Sequence, residues 1–201
     1  MKELLLDLLS KTEIYASSEQ IDKLVGYVNL LSKWNRAYNL TSVREPREMI
    51  SRHIMDSLII NSYLRGTTFA DVGSGPGLPG IPLAIISESK KFTLIDSRVK
   101  RSVFQRQAVM ELNLRNVEII NSRVEEIRNR SFDGIISRAF ASLTDFSGLC
   151  SNITGDQTVF YAMKGHLKPE EIQGIGDRII SANSLTVPGN EAERHLVIFK
   201  P

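Results

Sequence analysis

A stretch rich in glycine and proline, DVGSGPGLPG from Asp71 to Gly80, contains the residues whose types and spacing best suit ligand binding. The residues before it, TTFADV, have the composition of a short buried strand, and LPGIPLAII after it begins a helix. A strand that passes through a glycine-rich turn into a helix presents backbone N–H groups to nucleotide-like ligands in parallel α/β sheets. We therefore predict that this turn contacts the ligand of the protein.

The turn fits more than one ligand. Gly75, Gly77 and Gly80 match the dinucleotide-binding pattern G-x-G-x-x-G. Asp96 stands about twenty residues further on, where an acidic residue binds ribose hydroxyls. This pattern alone is weak, and glycines also serve in turns without any ligand. Four glycines and two prolines within eight residues are more than a tight turn requires.

Three features favour S-adenosylmethionine over a nicotinamide dinucleotide. Asp71 places a carboxylate two residues before the first glycine, where it suits a cationic sulfonium and an α-amino group better than a pyrophosphate. Pro76 and Pro79 lack the N–H groups that phosphates would accept. The chain of 201 residues is too short for a second nucleotide-binding half and a substrate domain. We expect Asp96 to bind the ribose hydroxyls of S-adenosylmethionine.

The order of predicted elements after residue 66 indicates an α/β sheet. We predict strands at 67–72, 91–96, 116–121, 132–137 and 157–163. We predict helices between them at 79–88, 98–113, 123–129 and 142–153. This alternation gives a parallel sheet covered by helices. After a helix at 168–179, the segments ISANSLTVPG and RHLVIFKP follow each other without a helix, so we expect two antiparallel strands at the sheet edge.

The first third of the chain is predicted to be helical. We expect helices at 2–14, 19–34 and 46–63, with a capping box formed by Ser17 and Gln20. We therefore predict two units, which are an N-terminal helical extension at 1–64 and an α/β domain at 65–201.

The third predicted helix follows a polar loop, Asn39 to Arg44, which we expect to fold over the ligand cleft. His53 and Asp56 share one face of that helix. They either fix the loop or take part in chemistry, and a His–Asp pair without a positioned nucleophile favours the first role.

Composition and charge exclude several classes of protein. With 42% hydrophobic and 24% charged residues the chain has the composition of a globular protein, and it has no apolar run long enough to span a membrane. A single cysteine, Cys150, excludes an internal disulfide and a thiolate metal cluster and fits the cytoplasm. Residues 98–138 contain nine Lys or Arg and five Asp or Glu, which suits a polyanionic ligand or merely solvated helices.

Seven segments of the chain resemble those of a known family, in the same order. They are WNRAYNLTSVREP, RHIMDSL, DVGSGPGLPGIPL, SRVEE, FDGIISRAFASL, YAMKG and RHLVIFK. The family is that of the bacterial 16S ribosomal RNA guanine-N7 methyltransferases, RNA small-subunit methyltransferase G, also called glucose-inhibited division protein B. The resemblance extends over nearly the whole chain.

The resemblance implies a Rossmann-like S-adenosylmethionine-dependent methyltransferase fold with a mostly parallel sheet, an antiparallel last strand and an N-terminal helical extension. It implies methyl transfer from S-adenosylmethionine to N7 of a specific guanine in 16S ribosomal RNA, free or in the small subunit. We expect a cytoplasmic monomer that needs neither a metal nor a membrane.

The resemblance also implies where the cofactor binds, namely at Gly73 and Leu78, at Val124 and Glu125, and at Arg138. Each follows the carboxyl end of a predicted strand, which is where open parallel sheets bind ligands. With Gly75 and Asp96, the predicted cofactor-binding residues are Gly73, Gly75, Leu78, Asp96, Val124, Glu125 and Arg138. Acidic residues also favour helix N-termini, and Glu125 suits both roles.

Guanine N7 carries a lone pair and no proton, so direct in-line attack on a methyl group needs alignment more than a general base. The sequence agrees, because SRAFAS replaces the Asn/Asp-Pro-Pro-aromatic motif of exocyclic-amine methyltransferases, and Cys150 falls among apolar residues, where a structural role is expected. Our hypothesis places Arg138 and Phe140 between cofactor and base. The arginine would donate to guanine O6 or to the cofactor carboxylate, and the aromatic ring would stack on the base or belong to the core.

Basic residues after several strands are the candidates for contacts to RNA phosphates. Arg123 and Lys164 would join Arg138 as a cationic rim that positions the substrate. Lys100 and Arg101, at the start of the helix after Asp96, form a second group. In that helix Val99 and Val103 stand where the family usually has glycine and a basic residue, so this helix contributes less in this chain.

Two other functions stay open at this point. A methyltransferase of the same fold acting on another RNA, a protein or a small molecule fits the composition equally well. A non-catalytic cofactor-sensing or RNA-binding module predicts binding without turnover.

Overall fold

The computed structural model describes residues 1–138, 140 and 142–201. Its strands are β1 (Thr68–Val72), β2 (Lys91–Ile95), β3 (Val117–Ile120), β4 (Gly134–Ser137), β5 (Val159–Lys164), β6 (Ile179–Ser184) and β7 (His195–Phe199). Its α-helices are α1 (Lys2–Leu9), α2 (Ser18–Tyr38), α3 (Pro46–Met49), α4 (Asp56–Leu58), α5 (Gly80–Ile86), α6 (Val99–Glu111), α7 (Leu143–Leu149) and α8 (Pro169–Ile175). A π-helical segment, Ile50–Met55, joins α3 to α4.

All seven strands form one sheet in the order β3-β2-β1-β4-β5-β7-β6. The first five strands are parallel to one another. β7 lies between β5 and β6 and is antiparallel to both. The predicted fold is therefore confirmed, including the final antiparallel pair.

The strand register brings three strand ends to one edge of the sheet. Val72, the last residue of β1, pairs with Ile95, the last residue of β2. The residues that follow, Gly73 and Asp96, therefore leave the sheet side by side. Arg138 directly follows β4, the neighbour of β1 on its other side. This edge is where the sequence predicts the ligand.

Several helices are shorter than predicted. The first ends at Leu9 because side-chain hydroxyls take its last carbonyls, with Thr12 Oγ1 donating to Leu9 O at 2.8 Å. The helix predicted at 123–129 is a single 3₁₀ turn, Val124–Glu126. There the Asn152 amide donates to the carbonyls of Val124 and Ile127 at 2.8 and 2.7 Å, so those carbonyls are bound by a side chain rather than by a continuing helix. The helix predicted at 142–153 ends as α7 at Leu149 and is followed by a 3₁₀ turn, Ser151–Ile153.

The N-terminal helices share one hydrophobic core with α5 and α6. Leu24 of α2, Ile81 of α5 and Phe104 of α6 belong to the same buried cluster. The predicted capping box starts α2, since Ser17 Oγ accepts from Gln20 N at 3.2 Å and Gln20 Oε1 accepts from Ser17 N at 2.9 Å. None of the described helices combines the length and apolar character that crossing a membrane requires.

Candidate active site

A cavity of about 440 Å³ opens at the carboxyl ends of β1, β4 and β5. The glycine turn after β1 forms one side of it, and the loop after α2 together with the π-helical segment forms the other. Five basic side chains and one carboxylate line it, namely Arg52, Arg101, Arg138, Lys164, Arg194 and Asp56. This charge balance suits a ligand that carries negative groups.

The backbone of the glycine turn faces this cavity. Gly73 and Gly75 have φ values of 70° and 59°, a region that favours glycine. A Cβ added to Gly75 would meet no atom within 4 Å, although the same residue lines the cavity. The N–H and the carbonyl of Gly75 are hydrogen-bonded to Asp96 and Gln105, and the missing side chain leaves open space at the cavity. This is the open approach that the aminoacyl and ribose parts of S-adenosylmethionine require, so the turn fits that cofactor.

Asp96 binds the backbone of the glycine turn. Its Oδ2 accepts from Gly75 N at 2.9 Å and from Arg101 Nη1 at 3.0 Å, and its Oδ1 accepts from Arg98 N at 2.9 Å. The residue is 4% exposed. Its carboxylate thus joins the glycine turn to the first turn of α6. Ribose binding by Asp96 stays a prediction.

Asp71 binds the backbone at the end of the glycine turn. Its side chain is fully buried, and Oδ2 accepts from Gly80 N at 2.8 Å. This carboxylate oxygen contacts the start of α5, and Asp71 does not line the cavity, so its contact with the cofactor cation stays a prediction. Burial raises the pKa of Asp71 to about 7. A Cβ at Gly80 would lie 2.2 Å from Leu94 Cδ2 and 2.9 Å from this oxygen, so the last glycine of the motif leaves no room for a side chain.

Two helices hold the turn in place through contacts that sequence reasoning missed. The buried Tyr27 hydroxyl on α2 donates to Pro76 O at 2.8 Å. Gln105 Nε2 on α6 donates to Ser74 Oγ and to Gly75 O, both at 2.8 Å. Both residues look like ordinary helix positions in the sequence. The only feature of the sequence that could have indicated this role is a polar group on an otherwise apolar helix face.

Asp56 joins two arginines of the cavity. Its Oδ2 accepts from Arg138 Nη1 at 2.9 Å and its Oδ1 accepts from Arg194 Nε at 2.7 Å. The Asp56 side chain is 5% exposed, whereas the two arginine side chains are 25% and 24% exposed. The carboxylate therefore ties α4 to the end of β4 and to the residue before β7. Sequence reasoning missed Arg194, although an antiparallel β7 must begin where β5 ends.

His53 fixes the loop after α2, as one of the two predicted roles requires. Its Nδ1–H donates to Arg52 O at 3.0 Å, and its Nε2 accepts from the Thr41 hydroxyl at 2.8 Å. Thr41 Oγ1 accepts in turn from Val43 N at 3.2 Å. Burial, together with the charge of Arg138, lowers the pKa of His53 to about 4. The imidazole is therefore neutral near pH 7.

Asn35 holds the same loop from α2. Its side chain donates to Val43 O at 3.1 Å and accepts from Thr41 N at 2.9 Å. Ser42 and Val43 of this loop line the cavity. The polar loop predicted from Asn39 to Arg44 is thus confirmed as part of the cavity.

The structure brings only part of the predicted cationic rim together. Arg138 and Lys164 both line the cavity, whereas Arg123 is exposed and lies outside its lining. Lys164 Nζ donates to Phe140 O at 3.3 Å and contacts Glu171 Oε2 at 2.6 Å. The predicted rim of these three residues stays a prediction, with Arg138 and Lys164 at the cavity and Arg123 on the exposed surface outside its lining.

The remaining predicted residues do not line the cavity. Val124 is buried and Glu125 is exposed in the 3₁₀ turn after β3, and neither lines the cavity. Lys100 is exposed on the first turn of α6. Phe140 is partly buried and stacks on Phe146, with ring centroids 5.0 Å apart. Its neighbours Ala139 and Ala141, which belong to the SRAFAS stretch, lie outside the described residues.

Cys150 is structural, as predicted. The side chain is fully buried, and burial raises the pKa of its thiol to about 12. A protonated thiol is a poor nucleophile. Among the described residues, no group of three or more His, Cys, Asp or Glu side chains is arranged to hold a metal.

Solved structures of similar fold agree with the cofactor that the turn fits. A SAM dependent methyltransferase from Aquifex aeolicus superimposes with a TM-score of 0.55 at 17% identity, over 76% of this chain and 95% of that chain. M. jannaschii TYW2 in complex with AdoMet gives a TM-score of 0.57 at 15% identity, over 73% and 74%. These likenesses and the sheet order show that the chain has the fold of these two methyltransferase structures.

The family follows from sequence comparison. The family model described as rRNA small subunit methyltransferase G matches residues 20–197. Ribosomal RNA small subunit methyltransferase G of Actinobacillus succinogenes is 51% identical over 203 residues, covering 100% of this chain and 96% of the relative. The protein of the same name from Haemophilus influenzae is 48% identical and covers 100% of both chains. The chain therefore belongs to the rRNA small subunit methyltransferase G family, and it is an rRNA methyltransferase that uses S-adenosylmethionine.

Proposed function

We propose that this enzyme methylates N7 of a guanine in 16S ribosomal RNA, and that the base attacks the methyl group directly and in line. Membership of the family supports methylation of small-subunit ribosomal RNA. The choice of N7 and the direct transfer rest on the chemistry of the cavity.

The observation that carries this proposal is that the cavity offers no free general base among its described residues. Its one carboxylate, Asp56, has both oxygens bonded to arginines. His53 is neutral, and both of its ring nitrogens take part in hydrogen bonds. An exocyclic amino group must lose a proton when it is methylated, whereas guanine N7 has none to lose. A cavity lined by arginines and lysine therefore suits N7 better.

The cofactor supplies an activated methyl group, and the chain supplies alignment. We assign Gly73, Gly75 and Leu78, which line the cavity, to contacts with S-adenosylmethionine. We also assign Asp96, Val124 and Glu125 to its ribose and adenine side. Their support is their place after β2 and β3, at the same sheet edge.

Arg138 and Lys164 are proposed to position the substrate. Both line the cavity, at the ends of neighbouring strands β4 and β5. An arginine at this place can donate to guanine O6 or to the cofactor carboxylate, and the lysine can bind a phosphate. Arg123, Lys100, Arg101 and Phe140 stay proposals for contacts with RNA beyond the target nucleotide.

The test is methyl transfer followed by mapping of the product. The enzyme is incubated with labelled S-adenosylmethionine and with either 16S rRNA or small subunits. The RNA is then cleaved at N7-methylguanine by borohydride and aniline. We expect label at one guanine and cleavage at that position. Label on an exocyclic amine or on another base would contradict the N7 assignment. Cofactor or RNA binding without any transfer would favour a non-catalytic module.

We propose further that the enzyme acts as a monomer in the cytoplasm. The single, buried, reduced cysteine fits a reducing compartment. Light scattering on the purified protein should give the mass of one chain, and a stable dimer would contradict this.

A further inference from the structure

The C-terminal end of α2 and the first turn of α6 lie side by side near the cavity. The rings of Trp34 and Phe104 meet edge to face, with centroids 5.7 Å apart. Nearer the start of α2, a Cβ added to Gly26 would lie 3.2 Å from Cδ2 of Leu112, the residue that follows α6. Residue numbers thus rise along α2 while they fall along α6, so the two helices run antiparallel. The last turn of α2 therefore lies beside the first turn of α6.

One of these two helix ends carries an aromatic ring and the other carries basic side chains. Tyr38 is the last residue of α2, one turn beyond Trp34, and Lys100 and Arg101 belong to the first turn of α6. Tyr38 is 46% exposed, Lys100 is exposed, and Arg101 is partly exposed and lines the cavity. The sequence marks Lys100 and Arg101 as phosphate candidates but gives no role to Tyr38.

The exposed ring is held rigidly. The ring centroids of Tyr38 and Trp34 are 5.2 Å apart at an interplanar angle of 31°. Trp34 is itself held by the buried Phe104. Tyr38 is followed directly by Asn39, whose backbone adopts the left-handed conformation that ends α2. An aromatic ring fixed in this way loses little conformational entropy when a ligand stacks on it.

The position of the ring relative to the cavity identifies its ligand. The loop from Asn39 to Arg44 follows Tyr38 directly. Its residues Ser42 and Val43 line the cavity. Unpaired bases of RNA stack on aromatic rings, while neighbouring phosphates bind basic side chains. A rigid exposed ring beside Lys100 and Arg101, within one loop of the cavity, has the chemistry of such a site.

We propose that Tyr38 and Lys100 bind an unpaired nucleotide of the RNA substrate adjacent to the target guanine. The base stacks on Tyr38, and the phosphate contacts Lys100. This inference rests on the proposed function, because it requires an RNA substrate, and it adds a recognition contact outside the cavity.

The test compares Tyr38→Ala with Tyr38→Phe and with a distant control, Tyr15→Ala. Tyr15 is 85% exposed and lies before α2, at the opposite end of that helix. We expect Tyr38→Ala to raise the RNA Kd and KM about 5- to 100-fold, which is the range for loss of one stacked base. Tyr38→Phe and Tyr15→Ala should stay within about twofold of the wild type, since the first keeps the ring and the second is remote. The cofactor Kd should not change in any of the three.

Lys100→Ala should weaken RNA binding and lower the slope of log K against log salt by about 0.7, because one phosphate contact is lost. If Tyr38→Ala has a lower melting temperature than the wild type, Tyr38→Leu replaces it, because leucine keeps apolar packing on Trp34. Wild-type RNA affinity in folded Tyr38→Ala and Tyr38→Leu would overturn the site, while methylation by the wild-type enzyme would leave the proposed function intact. Failure of the wild-type enzyme to methylate rRNA would instead refute the proposed function.

Discussion

Asp56→Asn should destabilise the fold and impair catalysis together. The substitution keeps the shape of the side chain but replaces one acceptor oxygen by an NH₂ group, which then faces an arginine donor. Hydrogen bonds to charged groups contribute about 1.5–3 kcal/mol each, and Asp56 accepts two of them with its side chain 5% exposed. Arg138 and Arg194 are about a quarter exposed, so water offsets part of the loss. We expect the free energy of unfolding to fall by about 2–4 kcal/mol.

The catalytic effect arises because Arg138 and Arg194 lose their common anchor. We expect kcat/KM for RNA methylation to fall about 10- to 100-fold, which corresponds to about 1.4–2.8 kcal/mol of lost transition-state stabilisation. The assays are urea denaturation and methyl transfer at limiting RNA. Asp22→Asn is the matched control, because its ion pair with Lys2 is on the surface and contributes at most about 1 kcal/mol. An Asp56→Asn enzyme with an unchanged urea midpoint and unchanged kcat/KM would refute this reasoning.

Two other substitutions separate ligand effects from folding effects. Gly75→Ala should cost about 1–2 kcal/mol through its positive φ and should raise the cofactor Kd at least about tenfold, because the new methyl group points into open space at the cavity. Gly77→Ala, whose Cβ would lie 2.4 Å from Ile81 Cδ1, should lose more stability. Calorimetry and thermal melting measure both effects, and equal cofactor affinity in Gly75→Ala and the wild type would exclude contact at this turn. His53 has a pKa of about 4 in the fold against an ordinary 6.5. As the pH falls, the unfolded chain therefore binds a proton on this imidazole before the folded protein does. The contribution of the neutral imidazole to the free energy of unfolding is fully present above pH 6.5 and is lost between pH 6.5 and 4. His53→Gln should flatten that part of the profile in urea titrations, and an unchanged profile would contradict the neutral imidazole.

The sheet was predictable from local patterns. Alternation of apolar strands and amphipathic helices, the two closing strands without a helix between them, and the capping box at Ser17 each depend on neighbouring residues. The glycine turn was predictable for the same reason, because positive φ values and an open backbone restrict the residue type at each place.

The contacts that position the cavity residues were not predictable, because they join residues far apart in sequence. Asp56 reaches Arg194, 138 positions away, and Tyr27 reaches Pro76, 49 positions away. The contact of Asp71 with Gly80 was not predictable for a related reason. A carboxylate next to a glycine turn suits a cationic ligand, and only the folded structure shows that its Oδ2 accepts from Gly80 N at the start of α5.

The central claim is that guanine N7 is the nucleophile in a cavity without a free base, and one measurement tests it most directly. The target guanine located by mapping is replaced by 7-deazaguanine in a synthetic RNA, which exchanges N7 for a C–H group and leaves the exocyclic amine and O6 in place. We predict that this RNA binds with nearly unchanged affinity and accepts no methyl group. Methyl transfer to the 7-deazaguanine RNA at the rate of the natural RNA would contradict the account.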